Sequence, residues 1–145
     1  VKDSTYNLYE KLKIPNFSVM PGSELKLLKG LEIGCTGIIT ATCNVTATLS
    51  RKVFDDFENK NAQTVNEKLC KVRRVFDKYN LISALHSYKS INQLFFKRIL
   101  PPLKLLDEKQ HKELVLELKK LNFISEDSLA AWGNYDFSKI IIKNL

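Results

Sequence analysis

Lys2 stands second in the opening stretch VKDSTYN, at the predicted C-terminal end of a strand. A lysine amine withdrawn from water loses hydration of its charged form, its pKa falls, and the free amine attacks carbonyl carbon. With a 2-keto acid the product is an iminium. Its nitrogen accepts electrons and acidifies the neighbouring carbon, so carbon–carbon bonds form or break there. That chemistry is covalent and needs no cofactor. The competing reading is a solvated surface lysine, one of 23 Lys and Arg residues in the chain.

Further candidates sit where other predicted strands end. Ser4 closes the first. Gly22 follows a second strand and precedes a helix, where a side chain would block a carboxylate from the backbone N–H groups of the helix start; a simple turn after Pro21 is its plainer explanation. Glu24 is favoured at a helix N-terminus on electrostatic grounds alone and is also able to accept hydrogen bonds from substrate hydroxyls. Thr40 and Ala41 are small residues at the end of a third strand. Cys43 is poorly supported as a nucleophile, and His86 and His111 read as ordinary helix residues.

The elements that must position these residues follow from periodicity. LYEKLK (8–13) predicts a short helix stopped before Pro15. NFSVM (16–20) and CTGIITATCN (35–44) predict strands, the second buried on both faces. Between them Ser23 caps a helix with Leu25, Leu27, Leu28 and Leu31 on its apolar face, and Gly34 ends it. Strand, helix, strand with short connections predicts βαβ units of a parallel sheet. Apolar stripes then predict helices over 46–60, 61–80, 90–100 and 106–123, the third ended by Pro101–Pro102 and the last capped by Asp107. The tail, 125–145, has no firm assignment.

Composition narrows the classes. A chain of 145 residues with 44% hydrophobic and 27% charged residues has the make-up of a folded globular protein. The formal charge of +7 is spread among acids rather than concentrated, which argues against nucleic acid and suits a small anionic substrate. Three cysteines, Cys35, Cys43 and Cys70, lack metal-ligand spacing and make a disulfide scaffold improbable, so no metal is expected and a reducing cytoplasm is the expected compartment. No run reaches membrane-spanning length. The chain begins inside a predicted strand, which reads as a cut edge.

VKDS, then VMPGSELKLLKGLEIGCTGIITATCNV with glycines at 22, 30, 34 and 37, then ILPPLKLLDEKQHKEL, together resemble the pyruvate-dependent class I aldolase and lyase superfamily. That superfamily includes dihydrodipicolinate synthase, N-acetylneuraminate lyase and the 2-keto-3-deoxygluconate aldolases. The resemblance runs from residue 1 to about residue 124. It implies the C-terminal portion of a (β/α)8 TIM barrel, strands six to eight, within residues 1–60, and an α-helical C-terminal domain over 61–124. Strand six would end at Val1–Lys2, with strand seven at Ser18–Met20 and strand eight at Gly37–Thr40. Lys2 matches the Schiff-base lysine, and Ser4 a hydroxyl position near the distal part of the substrate. Gly22 matches a glycine beside the substrate and Glu24 an acidic position toward its hydroxyls. Ile39 matches a residue whose backbone faces pyruvate, with Thr40 and Ala41 on the neighbouring wall.

The resemblance also implies that a proton-shuttling tyrosine and a carboxylate-binding loop lie in an N-terminal half of the same protein, expected as a partner. Tyr6 and Tyr9 are not substitutes for that tyrosine. A homo-oligomer built as a dimer of dimers is implied as well. The expected reaction is reversible cleavage of a 2-keto-3-deoxy sugar acid to pyruvate and an aldehyde. The alternatives are dihydrodipicolinate synthase and a catalytically inactive structural subunit.

Overall fold

A computed structural model of the chain describes residues 1–125. Two parallel strands, β1 (Lys2–Asp3) and β2 (Met20–Pro21), pair with Lys2 opposite Met20 and Asp3 opposite Pro21. The Met20 N–H donates to Val1 O and the Gly22 N–H to Asp3 O, both at 2.8 Å. Residues 35–40, expected as a strand, meet β2 through one bond, Ile39 N–H to Pro21 O at 3.1 Å. Gly34 and Gly37 have φ of +91° and +146°, in the region that favours glycine and breaks a pleated ladder.

The expected barrel portion is therefore corrected. Among the described residues the chain is mostly helical, with one open two-stranded sheet. Strands of two residues supply too few cross-strand pairs to build a closing sheet.

Ser23 does cap the next element, its Oγ accepting the Leu25 N–H at 3.3 Å. A 3-10 turn over Glu24–Lys26 leads into α1 (Leu27–Glu32). α2 (Cys43–Glu58) begins earlier than its apolar stripe, and α3 spans Asn66–Phe76. α4 (Leu81–Lys89) is capped by the Asn80 side chain, which accepts the Ser83 N–H at 3.1 Å. In place of a helix over 90–100 there is a 3-10 turn at Leu94–Lys97. The segment 8–13 makes only one turn, closed by Leu12 N–H to Leu8 O at 2.8 Å. α5 (Glu108–Lys120) follows the predicted Asp107 cap, which accepts the Gln110 N–H at 2.8 Å in a reciprocal capping box.

The largest core joins α2 to α5 through Val45, Val72, Phe76, Leu85, Leu114 and Leu118. Phe76 is fully buried and meets Tyr88 edge to face at 5.9 Å. A second cluster packs Leu27 and Leu31 of α1 against Val53 of α2 and Leu69 of α3. A third, of Tyr9, Val19 and Cys35, lies beside the strands. Each fully buried Leu or Phe contributes about 1.5–3 kcal/mol of transfer free energy. The two larger clusters are thus helical, while loop residues pack beside the strands. All of the predicted tail beyond residue 125 lies outside the described residues.

Candidate active site

β1 carries Lys2 on the exposed side of the sheet and turns Asp3 into the interior. Alternation along a strand requires that opposition. Asp3 is 1% exposed, and its carboxylate organises the chain that follows. One oxygen accepts the N–H groups of Thr5 and Tyr6 and the Thr5 hydroxyl at 2.9–3.2 Å. The other accepts the Leu8 and Tyr9 N–H groups at 2.9 Å. Desolvation pushes the Asp3 carboxyl up, but the Tyr9 and Leu8 N–H groups, the Thr5 hydroxyl and the Tyr6 N–H more than offset it. The carboxyl sits below its ordinary value. Tyr6, with φ of 59°, owes its left-handed backbone to this wrapping.

Just beyond β2, Gly22 lets Lys2 and Ser4 approach its backbone more closely than a side chain would allow. A Cβ built there would lie 3.2 Å from Ser4 Oγ, 3.3 Å from Lys2 Cε and 3.4 Å from Asp3 O. Lys2, Ser4 and Gly22 are thereby brought together. Both Lys2 and Ser4 are exposed, so the dry mouth expected around the amine is not formed by the described residues. Ile39 lies alongside through its N–H bond to Pro21 O and is 47% exposed; Thr40 and Ala41, both half-buried, continue from it.

Glu24 stands behind this wall, fully buried. One carboxylate oxygen accepts the Thr42 hydroxyl at 2.5 Å and the Thr46 hydroxyl at 2.9 Å. The other accepts the Thr40 hydroxyl at 3.1 Å and Arg73 Nη1 at 2.7 Å. All four acceptor directions are filled, so a contact with substrate hydroxyls requires one of these bonds to open. Arg73 Nη1 also donates to Thr40 Oγ1 at 2.8 Å, and Arg73 Nε donates to Asp77 at 2.7 Å. Desolvation alone would push the guanidinium down; Glu24 and Asp77 reverse this and hold it above its ordinary value.

Tyr9, 2% exposed, donates its hydroxyl to Glu10 at 2.7 Å. Burial and that acid push its pKa up to about 12, so the phenol keeps its proton at neutral pH. Asp3 and Arg73 are the residues that sequence reasoning passed over. The only trace of the first is an acid directly before a run of turn-forming residues. The second has no local signal, since its partners lie on other elements. Among the described residues no group of acids, histidines and cysteines is placed to hold a metal, and no helix is long and apolar enough to cross a membrane.

A family model described as "Dihydrodipicolinate synthetase family" matches residues 1–121. The match takes in almost the whole chain. It overturns the expectation that the likeness concerns a C-terminal half alone, and with it the inference that the chain lacks an N-terminal half to be supplied by a partner. No curated protein gives a match. Among solved structures, Proteus mirabilis N-acetylneuraminate lyase is 19% identical with a TM-score of 0.69, covering 85% of this chain and 44% of that one. YagE, an Escherichia coli prophage protein of the dihydrodipicolinic acid synthase family, was solved in complex with pyruvate. It is 20% identical with a TM-score of 0.67, covering 76% of this chain and 39% of that one. Dihydrodipicolinate synthase from Agrobacterium tumefaciens is 16% identical with a TM-score of 0.66, covering 83% and 42%. At these identities the likeness carries the fold alone. The chain spans 39–44% of the length of these three structures.

Proposed function

Because the chain belongs to the dihydrodipicolinate synthetase family, we propose that it takes part in pyruvate chemistry through a Schiff base on Lys2. The Lys2 amine adds to the pyruvate C2 carbonyl, and loss of water leaves an iminium. A proton leaves C3, its electron pair moves toward nitrogen, and the resulting enamine carbon attacks an aldehyde carbon. Water then releases the product and restores the amine. Ser4, Gly22, Ile39, Thr40 and Ala41 line the approach to Lys2 in this reading. Glu24 supports that lining from behind.

The observation that carries the reading is the convergence of Lys2 Cε and Ser4 Oγ on Gly22, 3.3 and 3.2 Å from the point where a side chain there would begin. With no side chain at residue 22, the amine-bearing stem and a hydroxyl lie against the same stretch of backbone. For the second substrate, the family description favours condensation of pyruvate with aspartate semialdehyde over cleavage of a 2-keto-3-deoxy sugar acid. Several of the similar solved structures are likewise described as dihydrodipicolinate synthases.

Borohydride reduction in the presence of pyruvate tests the first step. The expected result is an adduct of about 72 Da that maps to Lys2 and is lost in Lys2→Arg. A folded chain that stays unmodified at saturating pyruvate would remove the basis for the reading. If the adduct forms, turnover with aspartate semialdehyde against turnover with 2-keto-3-deoxygluconate decides between the substrates.

A further inference from the structure

Two further stretches of chain surround the β1 amine. Gly22–Glu24 follows β2, and Ile39–Ala41 is joined to it by the Ile39 N–H bond to Pro21 O and the Thr40 hydroxyl bond to Glu24, both at 3.1 Å. One backbone bond and one hydroxyl bond are weak fixation for a wall that must meet a small substrate. The stronger tie lies one layer deeper. Arg73, from α3, places Nη1 within 2.7 Å of Glu24 Oε2 and 2.8 Å of Thr40 Oγ1. Its side chain is 9% exposed and that of Glu24 is 0%. A second bond from Arg73 to Asp77, the residue that caps the C-terminus of α3, sets the guanidinium plane.

We propose that Arg73 is a positioning residue for the Lys2 site, clamping the Gly22–Glu24 and Ile39–Ala41 segments in the relative placement that binds a 2-keto acid. This rests on the Schiff-base reading above. A buried ion pair is a poor source of stability, because desolvation cancels much of its attraction; its use is to fix geometry. Arginine suits that role, since its planar fork reaches Glu24, Thr40 and Asp77 at once, and a lysine ammonium lacks that fixed spread of donors. Thr40 is the relay. Its Oγ1 accepts from Arg73 and donates to Glu24, so the residue next to Ile39 is held by both charges.

The test uses the full chain carrying Arg73→Met, Arg73→Lys or Thr40→Val. Pyruvate is titrated in the borohydride assay, and amide exchange is followed by mass spectrometry. Arg73→Met is expected to raise the half-saturating pyruvate concentration about tenfold while the adduct still forms at saturation. Arg73→Lys is expected to recover part of that loss. Exchange at the Ile39 amide should accelerate in Arg73→Met while α5 keeps its protection. A folded Arg73→Met with unchanged half-saturation and unchanged Ile39 exchange overturns the proposal. So does loss of α5 protection in step with Ile39, which would make Arg73 part of the global fold only. Should Arg73→Met fail to fold, Thr40→Val, which removes one hydroxyl, must reproduce the shift or the proposal falls. If the unsubstituted chain forms no adduct, the Lys2 reading fails by itself; the exchange data then decide separately whether Arg73 holds the two segments.

Discussion

Lys2 Cε lies 3.3 Å from the point at which a side chain on Gly22 would begin. The same point is 3.2 Å from Ser4 Oγ and 3.4 Å from the Asp3 carbonyl oxygen. The two side chains are exposed and able to swing by a few tenths of an ångström; the carbonyl, bonded to the Gly22 N–H, is not. Gly22→Ala is therefore expected to fold, with a stability change within about 1–2 kcal/mol, but to displace the amine and narrow its approach. Trapping by pyruvate and borohydride should fall several-fold at sub-saturating pyruvate. Unchanged trapping would show that the substrate does not pass over residue 22.

Asp3 links acid stability to the end of β1. Its folded pKa is lowered, so its contribution is fully present above its unfolded value, about pH 4. The contribution is lost as pH falls through the lowered folded value. Asp3→Asn replaces one acceptor oxygen by an amide that cannot accept, and should lower the melting temperature at pH 7. The gap from the parent chain should shrink in melts taken progressively below pH 4. A gap of constant size down to pH 2 would mean that the carboxylate charge is irrelevant and only its shape matters.

Phe76 tests whether the helical core is as tightly built as its burial implies. Truncation to Ala removes a fully buried ring and its edge-to-face contact with Tyr88, for an expected loss of about 3–5 kcal/mol by denaturant titration. Phe76→Leu, which keeps more volume, should lose less. A loss below about 1 kcal/mol for the Ala variant would imply a core that collapses readily around the vacancy.

Cys35 offers a check on the layer beside the strands. Burial pushes its thiol up, with the Lys13 ammonium opposing, and its Sγ faces the Tyr9 carbonyl at 3.8 Å. Cys43 and Cys70 are also pushed up by burial, yet both are only half-buried. Since the thiolate is the reactive form, alkylation of native chain near neutral pH should be at least about tenfold slower at Cys35 than at the other two. In denaturant the three should react alike. Preferential labelling of native Cys35 would place it on the surface.

The sequence is most readable where local chemistry decides the outcome. Asp107, three residues before Gln110 and ahead of a lysine-rich last turn, announces α5, and the capping box forms there. The regular stripe through Leu49, Val53, Phe54 and Phe57 announces α2, though the helix starts earlier at Cys43. Reading fails where non-local contacts decide. CTGIITATCN has the residues of a buried strand, but Gly34 and Gly37 turn the chain and leave it a single bond to β2. LISALHSYK is a helix because Asn80 caps it and Ala84 and Leu85 enter the main core, whereas the apolar LFFK after it makes only a 3-10 turn. At the site, Lys2, Ser4 and Gly22 fall together at one two-stranded sheet and not on the barrel expected to carry them. Arg73 could not be foreseen, because nothing in NEKLCKVRRVF distinguishes it from the exposed Arg74 beside it.

The ties around Lys2 also differ in how soon they can close on a folding chain. Asp3 reaches its farthest partner, Tyr9, across six residues, a loop short enough to form without help from the rest of the molecule. Glu24 and Arg73 are separated by 49 positions, and bringing them together carries the larger entropy of closing that loop. α1, α2 and α3 must already be packing before the pair can meet. The segment that bears the amine thus takes its local shape early, while the wall facing it is set only when the helices have docked.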